Sequence, residues 1–402
     1  MREMKDSGVR WIGKITTKWT IAKAKNCVEI QNGSDPKTEG SIPVYGSGSM
    51  SFKTCGEYKE GPSVLIGRKG ATLHIPHYIS SKFWNVDTAF NVYSKSIFDL
   101  KYYFYCAHVF DYTLYMSQTT LPSMTQTAYE NMFLPLPTKE EQYAIANQLD
   151  QICSKIDAVL EKTRASIEEY KKLKQAVITQ AVTKGIRGDR PMKDSGIEWI
   201  GDIPAEWNKD KAIRVFSVIG SGTTPKSSDE NLFDGNTPWI QSGDINGENL
   251  FVTKNCVSNS AIESYSALRV YQAPYLVVAM YGASVGNLSL SMIDACVNQA
   301  CCVLKKPTIN LKFSFYIFKA VKDYLARKAV GGGQPNISQE TIKQLWLPIP
   351  SADEQIEISN YLDEKCRSVD ALIAKKQQYL TEIETYKKSL IYEYVTGKKE
   401  VI

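Results

Sequence analysis

Met4-Lys5-Asp6-Ser7-Gly8-Val9-Arg10-Trp11-Ile12-Gly13 returns later in the same chain as Met192-Lys193-Asp194-Ser195-Gly196-Ile197-Glu198-Trp199-Ile200-Gly201, identical at eight of ten positions. A second block, Leu134-Pro135-Leu136-Pro137, returns as Leu347-Pro348-Ile349-Pro350, and both copies run on into a long charged stretch. The first repeat is offset by 188 residues and the second by 213, so the middle of the second copy is 25 residues longer. Solenoid units are far shorter than this. Constant ends around a variable middle describe two equivalent frames with different contents.

A chain of 402 residues is long enough for two or more domains, each with its own core. Its 43% hydrophobic and 11% aromatic residues belong to a folded chain rather than a disordered one. No apolar run has the length of a bilayer span, and the start, Met1-Arg2-Glu3-Met4, lacks the apolar core of a signal peptide. Nine cysteines, odd in number and without metal-ligand spacing, fit reduced thiols in the cytoplasm. The net charge of +5 does not by itself identify a nucleic-acid binder. Residues 138–184 carry 8 basic and 7 acidic side chains and residues 351–402 carry 8 and 10, which leaves +6 on the remaining segments. That weak basic bias falls where phosphate contacts would be needed.

Each Pro-x-Pro is followed by a helix-start signal: Thr138 stands three residues before Glu141, and Ser351 three before Glu354. Apolar residues then recur in steps of four and three, Ile145, Leu149, Ile152, Ile156 and Val159, matched by Ile358, Leu362, Val369 and Leu372. Ile167, Tyr170, Leu173 and Val177 continue the stripe, matched by Leu380, Ile383, Tyr386 and Leu390, with one slip near Thr163. So narrow a stripe needs a partner, and the other copy supplies one. Helices of this length reach on the order of 65–70 Å. The breaker-rich Gly185-Ile186-Arg187-Gly188-Asp189-Arg190-Pro191 is a linker. The expected architecture is mixed α/β, with two globular domains joined by two long antiparallel coiled-coil helices in a pseudo-two-fold arrangement.

The middles contain strand-like runs, Ser63-Val64-Leu65-Ile66 and Tyr275-Leu276-Val277-Val278-Ala279-Met280. Pro122-Ser123-Met124-Thr125-Gln126 echoes Pro335-Asn336-Ile337-Ser338-Gln339 at the same offset of 213, so the middles are expected to share a fold. Catalytic motifs do not emerge. The three histidines, His74, His77 and His108, all lie in the first half, and neither a phosphate-binding loop nor an amino-methyltransferase target-base motif is present. The chain is expected to bind without catalysing and to hold no metal or cofactor.

Leu134-Pro135-Leu136-Pro137-Thr138-Lys139-Glu140-Glu141-Gln142 and its copy through Glu354-Gln355 resemble the helix opening of type I restriction-modification specificity subunits. Gly333-Gln334-Pro335-Asn336-Ile337-Ser338 and Pro238-Trp239-Ile240-Gln241-Ser242-Gly243-Asp244-Ile245 are similar to stretches of that family's target-recognition domains. The first domain departs from this pattern, with Thr119-Thr120-Leu121-Pro122 in place of the Gly-Gln-Pro run. The resemblance implies a non-catalytic reader of a split, asymmetric target on double-stranded DNA. Two methyltransferase subunits, which bring S-adenosylmethionine, would dock on the helices and methylate adenine, and a restriction and translocation subunit would bring ATP and Mg. The division is then a frame segment 1–18, a recognition domain 19–137, a spacer 138–184, a linker and frame segment 185–206, a second recognition domain 207–350 and a spacer 351–402. A stand-alone DNA-binding regulator is the alternative, and a coiled-coil scaffold a third reading.

In the second domain the candidate base readers are Gln334, Asn336 and Ser338, behind three glycines that let backbone approach a ligand. Arg327, Lys328 and Lys343 flank them as phosphate contacts. A surface turn with Ser338 as a helix cap is the competing reading. In the first domain the candidates are Arg68, Lys69, Thr119 and Thr120. Leu160, Ile178, Ile373 and Ile391 lie beside the expected stripe and are candidates for partner docking, unless the stripe is simply wider.

Overall fold

A computed structural model describes residues 3–48, 50–95, 97–117, 122–330 and 335–401. They fall into two compact units, residues 1–165 with 376–402 and residues 166–375. Each is mixed α/β, and each contains part of both long helices, Lys139–Lys184 and Ala352–Val395. Each holds its own large apolar core.

The first unit is built on a four-stranded antiparallel sheet in the order Val28–Asn32, Ala89–Ser94, Ser63–Gly67, His77–Ile79. Every residue of Ser63–Gly67 is buried, as its unbroken apolar run requires. A smaller sheet joins Lys53–Cys55, Ile42–Tyr45 and Trp84–Asn85. Phe133–Leu136, the strand before the helix, pairs with Thr20–Lys23.

The second unit repeats this plan. Its main sheet runs Phe216–Ser221, Cys301–Pro307, Tyr275–Ala279, Leu288–Ser291, with Asn249–Leu250 added at the edge. Asn255–Val257, Thr237–Ile240 and Cys296–Val297 form its small sheet, and Trp346–Ile349 pairs with Asn208–Lys211. The additional length of the second middle falls between Ser221 and Thr237, between Ile240 and Asn255, and between Val257 and Tyr275. These segments hold the edge strand and the short helix Asn259–Ser264, so the insertions leave the shared sheet intact.

Both long helices open on the same contacts. Thr138 and Glu141 cap each other, the Thr138 N–H donating to the Glu141 carboxylate at 3.1 Å and the Glu141 N–H to the Thr138 hydroxyl at 3.3 Å. Glu141 also accepts the Trp19 indole N–H at 3.0 Å, as Glu354 accepts that of Trp207 at 2.8 Å. Gln142 accepts from the Asp99 N–H at 2.7 Å and donates to the Pro137 carbonyl at 3.0 Å. Gln355 repeats both bonds, with Asn310 at 2.6 Å and Pro350 at 2.9 Å. The repeated Pro-x-Pro and Glu-Gln residues therefore serve one structural purpose: they fasten the helix start to the domain above it.

Within each unit the helix segments run antiparallel. Lys387 pairs with Asp157 at 2.6 Å in the first unit, and Lys174 with Asp370 at 2.6 Å in the second. These are the same two positions at an offset of 213. The buried stripe differs from the expected one. Val159 is 41% exposed whereas Leu160 is 4% exposed, and Leu173, Leu372 and Tyr386 also face solvent. Inward positions run through Ile152, Ile156, Leu160, Thr163, Ile167, Tyr170, Lys174 and Ile178, with consecutive four-residue steps at Ile156 and Lys174. Two such steps raise the mean spacing of the stripe above the 3.5 residues of a strict heptad. Residues 396–401 are not helical, another departure from the expected span 351–402. Gly397, at φ +72, turns the chain there, and a Cβ on it would meet the Trp19 ring at 2.9 Å.

Candidate nucleic-acid interface

The buried strand Ser63–Gly67 delivers Arg68-Lys69-Gly70 to the sheet end, and Tyr275–Ala279 delivers Met280-Tyr281-Gly282. Three backbone bonds fix each turn. In the first unit the Arg68 N–H donates to Thr88 at 2.8 Å, Gly70 to Pro122 at 3.0 Å, and Met124 to Arg68 at 2.9 Å. In the second, Met280 donates to Ala300 at 2.8 Å, Gly282 to Pro335 at 2.8 Å, and Ile337 to Met280 at 2.9 Å. Both turn glycines have left-handed φ, +108 at Gly70 and +69 at Gly282.

These bonds bring together residues that the sequence presents far apart. Lys69 is bridged to Ser123, which also bridges Ser117, and Tyr281 is bridged to Asn336, which also bridges Val330. The Arg68-Lys69 turn and Ser117 are therefore neighbours in the first unit. Thr119, Thr120 and Gln334 lie outside the described residues. Asn336 is exposed at the junction. Tyr281, 45% exposed, shares that junction and was not singled out by the sequence.

Ser338 is exposed, and its hydroxyl accepts the Thr341 N–H at 3.0 Å and caps the helix Gln339–Lys343, as the competing reading of that residue expects. Arg327 and Lys328 are exposed in the last turn of Leu311–Lys328. Lys328 pairs with Glu198 at 3.7 Å and Lys343 with Glu340 at 3.8 Å. Surface pairs of this kind stabilise by about 1 kcal/mol or less, so phosphate can displace them with little loss. Lys69 pairs with Asp87 at 3.6 Å, and the Arg68 guanidinium donates to the Asp87 carbonyl at 3.4 Å.

The four apolar residues expected to dock a partner differ from that expectation. Leu160, Ile178 and Ile391 are buried and Ile373 is partly buried, all on the inward stripe. Ile391 belongs to the first core and Ile178 to the second. Side chains packed inside their own chain, as Leu160, Ile178 and Ile391 are, offer no surface to a partner, and the wider-stripe reading accounts for those three.

Among the described residues no cluster of His, Cys, Asp and Glu could hold a metal ion. His108 is partly buried beside Lys387 and Asp157, and desolvation pushes its pKa down to about 4. All nine cysteines are free thiols; burial raises those of Cys301 and Cys302 and keeps them protonated. No described helix is long and apolar enough to cross a membrane.

The family model described as the type I restriction modification DNA specificity domain matches residues 17–169 and 204–384. The type I restriction enzyme MjaVIII specificity subunit of Methanocaldococcus jannaschii is 26% identical over 294 residues, 70% of this chain and 66% of that protein. A second protein of that organism is 25% identical over 283 residues, and 62% of its length is covered. This chain thus spans just under two thirds of those two relatives. The type I restriction enzyme EcoBI specificity subunit of Escherichia coli is 20% identical over 99% of this chain and 90% of its own length. A chain from a structure described as the structural basis underlying complex assembly and conformational transition of the type I R-M system has the same fold. Its TM-score is 0.73 at 14% identity, over 96% of this chain and 99% of that one. With the Pro-x-Pro block and its copy each inside a matched segment, this chain belongs to the type I restriction modification DNA specificity domain family.

Proposed function

We propose that this chain is the sequence-specific DNA-binding specificity subunit of a type I restriction-modification complex, reading a bipartite, asymmetric target. The observation that carries this reading is the loop junction. The same backbone bonds build it at the same strand ends of both units, while the side chains it presents differ. A reader of two unlike half-sites needs that combination: a common scaffold to meet the duplex, and divergent groups to meet the bases.

In this reading the chain is not an enzyme and binds no cofactor. Two methyltransferase subunits bring S-adenosylmethionine and methylate adenine, a restriction and translocation subunit brings ATP and Mg, and the complex acts in the cytoplasm. The long helices form an antiparallel coiled coil with pseudo-two-fold symmetry and set the gap between half-sites. The recurrence of one ion pair at equivalent positions, Asp157 with Lys387 and Asp370 with Lys174, supports that symmetry. Extrusion of the target base by a methyltransferase would require the reader to grip the duplex on both sides of it.

Domain exchange tests the reading. Residues 20–133 are replaced by the corresponding domain of another specificity subunit, and methylated adenines are mapped in cells carrying the methyltransferase. One half of the methylated motif should change and the other should stay. A change in both halves, or in neither, overturns it.

A further inference from the structure

The two junctions share a backbone and differ in chemistry in a way that matches the two kinds of base pair. The segment entering Ala89–Ser94 lies beside Arg68 through the Arg68–Thr88 bond, and the segment entering Cys301–Pro307 lies beside Met280 through the Met280–Ala300 bond. Asp87 and Gln299 occupy equivalent places just before those contacts.

In the first unit the set is ionic. Lys69 and Asp87 face each other at 3.6 Å with side chains 43% and 52% exposed. The Arg68 guanidinium lies 5.8 Å over the Phe90 ring and is held on the Asp87 carbonyl. In the second unit the set is neutral. Gln299 is exposed, and its carbonyl accepts the Thr224 hydroxyl at 2.6 Å, which orients the amide and leaves its NH2 and a second lone pair for a ligand. Exposed Asn336 is the second amide, and the Tyr281 ring stands at the same turn.

A G·C pair shows the major groove N7 and O6 acceptors, which suit Arg or Lys, and an N4 donor, which suits a carboxylate. An A·T pair shows the adenine N6 donor and N7 acceptor, the complement of a side-chain amide. A cation and an anion held side by side therefore fit the two edges of one G·C pair, and amides fit adenine. We propose that Arg68, Lys69 and Asp87 read a G·C pair in the half-site of the first domain, and that Gln299 and Asn336 read an A·T pair in that of the second. Tyr281 packs against the neighbouring base. This assignment rests on the DNA-reading function proposed above.

The test uses the full chain with its methyltransferase subunits and a duplex library randomised across both half-sites. The wild-type complex should select a G·C pair in the half-site assigned to residues 20–133, and an A·T pair beyond the methylated one in the other. Asp87→Asn, isosteric and half exposed, should move that G·C position toward A·T by about tenfold and leave the second half-site unchanged. Lys69→Gln should relax the same position. Gln299→Glu should move one position toward C·G in the second half-site alone. Wild-type motifs from all three variants, shifts in both halves from one variant, or equal weakening toward every sequence would each overturn the assignment. So would unfolding of Asp87→Asn, because the assignment gives Asp87 no structural post. A wild-type complex that retains no duplex from the library overturns DNA reading itself.

Discussion

Replacing Glu354 with alanine removes the group that ties the second long helix to the second domain. Its carboxylate accepts the Trp207 indole N–H at 2.8 Å and the Arg190 guanidinium at 2.6 Å, and that guanidinium lies 5.2 Å over the Trp207 ring. The carboxylate is 3% and the guanidinium 11% exposed, so water cannot take the place of a lost partner. Truncation orphans a buried indole donor, at a cost of about 1–3 kcal/mol. It also leaves a buried cation whose Nε already lacks an acceptor. Breaking a buried pair by removing one member costs about 3–5 kcal/mol. Arg190 keeps Glu206 at 3.1 Å and the Lys184 carbonyl at 2.9 Å, which places the loss at the lower end, about 3 kcal/mol. For a unit of this size that lowers the melting temperature by roughly 6–12 °C. Calorimetry of the full chain measures the shift. Amide hydrogen exchange locates it, with faster exchange over residues 185–210 and no change over residues 20–23. Glu354→Gln keeps an acceptor for Trp207 and should lose less. A loss under about 1 kcal/mol, or equal loosening in the first unit, refutes the reasoning.

Other expectations follow from the same geometry. His108 is held neutral by burial with a pKa of about 4, below its unfolded value, so its contribution to stability is present at neutral pH and is lost as pH falls from about 6.5 toward 4. His108→Gln should flatten that part of the pH dependence of thermal unfolding, by up to about 3 kcal/mol relative to wild type. Lys174→Asp should destabilise the second unit by about 1 kcal/mol, and adding Asp370→Lys should restore most of it, read by denaturant titration. Ser338→Ala should cost about 1 kcal/mol, speed exchange over residues 339–343 and leave base preference intact. Inserting seven residues after Ala165 and seven after Gln378, equivalent points on the two helices, should lengthen the tolerated gap between half-sites by roughly three base pairs, measured by mapping methylated adenines.

The helix openings were legible because each of their residues answers a local demand. A cap, an acceptor for a tryptophan and a bridge between two backbone groups can each be met by few side chains, so Thr138, Glu141 and Gln142 recur as Ser351, Glu354 and Gln355. The phase of the stripe was not legible at Val159 and Leu160. Both are apolar, and so are their equivalents Leu372 and Ile373, so neither composition nor the repeat chooses between them. Packing against the facing helix makes that choice. At the interface, Arg68 with Lys69 and the run around Ser123 were each visible, but their meeting depends on cross-strand bonds between segments more than fifty residues apart.

Asp87, Tyr281 and Gln299 escaped for a different reason. Identity has vanished from the middles, and the two repeats that remain carry offsets of 188 and 213, neither of which aligns these positions. A signal did exist: laying the buried run Ser63–Gly67 on Tyr275–Ala279 sets Lys69 opposite Tyr281 and Asp87 opposite Gln299. That alignment rests on burial alone, since a strand covered on both faces tolerates any apolar residue of suitable size. The sheet is held in place by side chains that interchange freely, while the exposed turns at its end have little packing to preserve. In a molecule built to present two different faces from one scaffold, the positions that carry the difference are therefore those where the repeat is silent, and they emerge only once the strands beneath them have been matched.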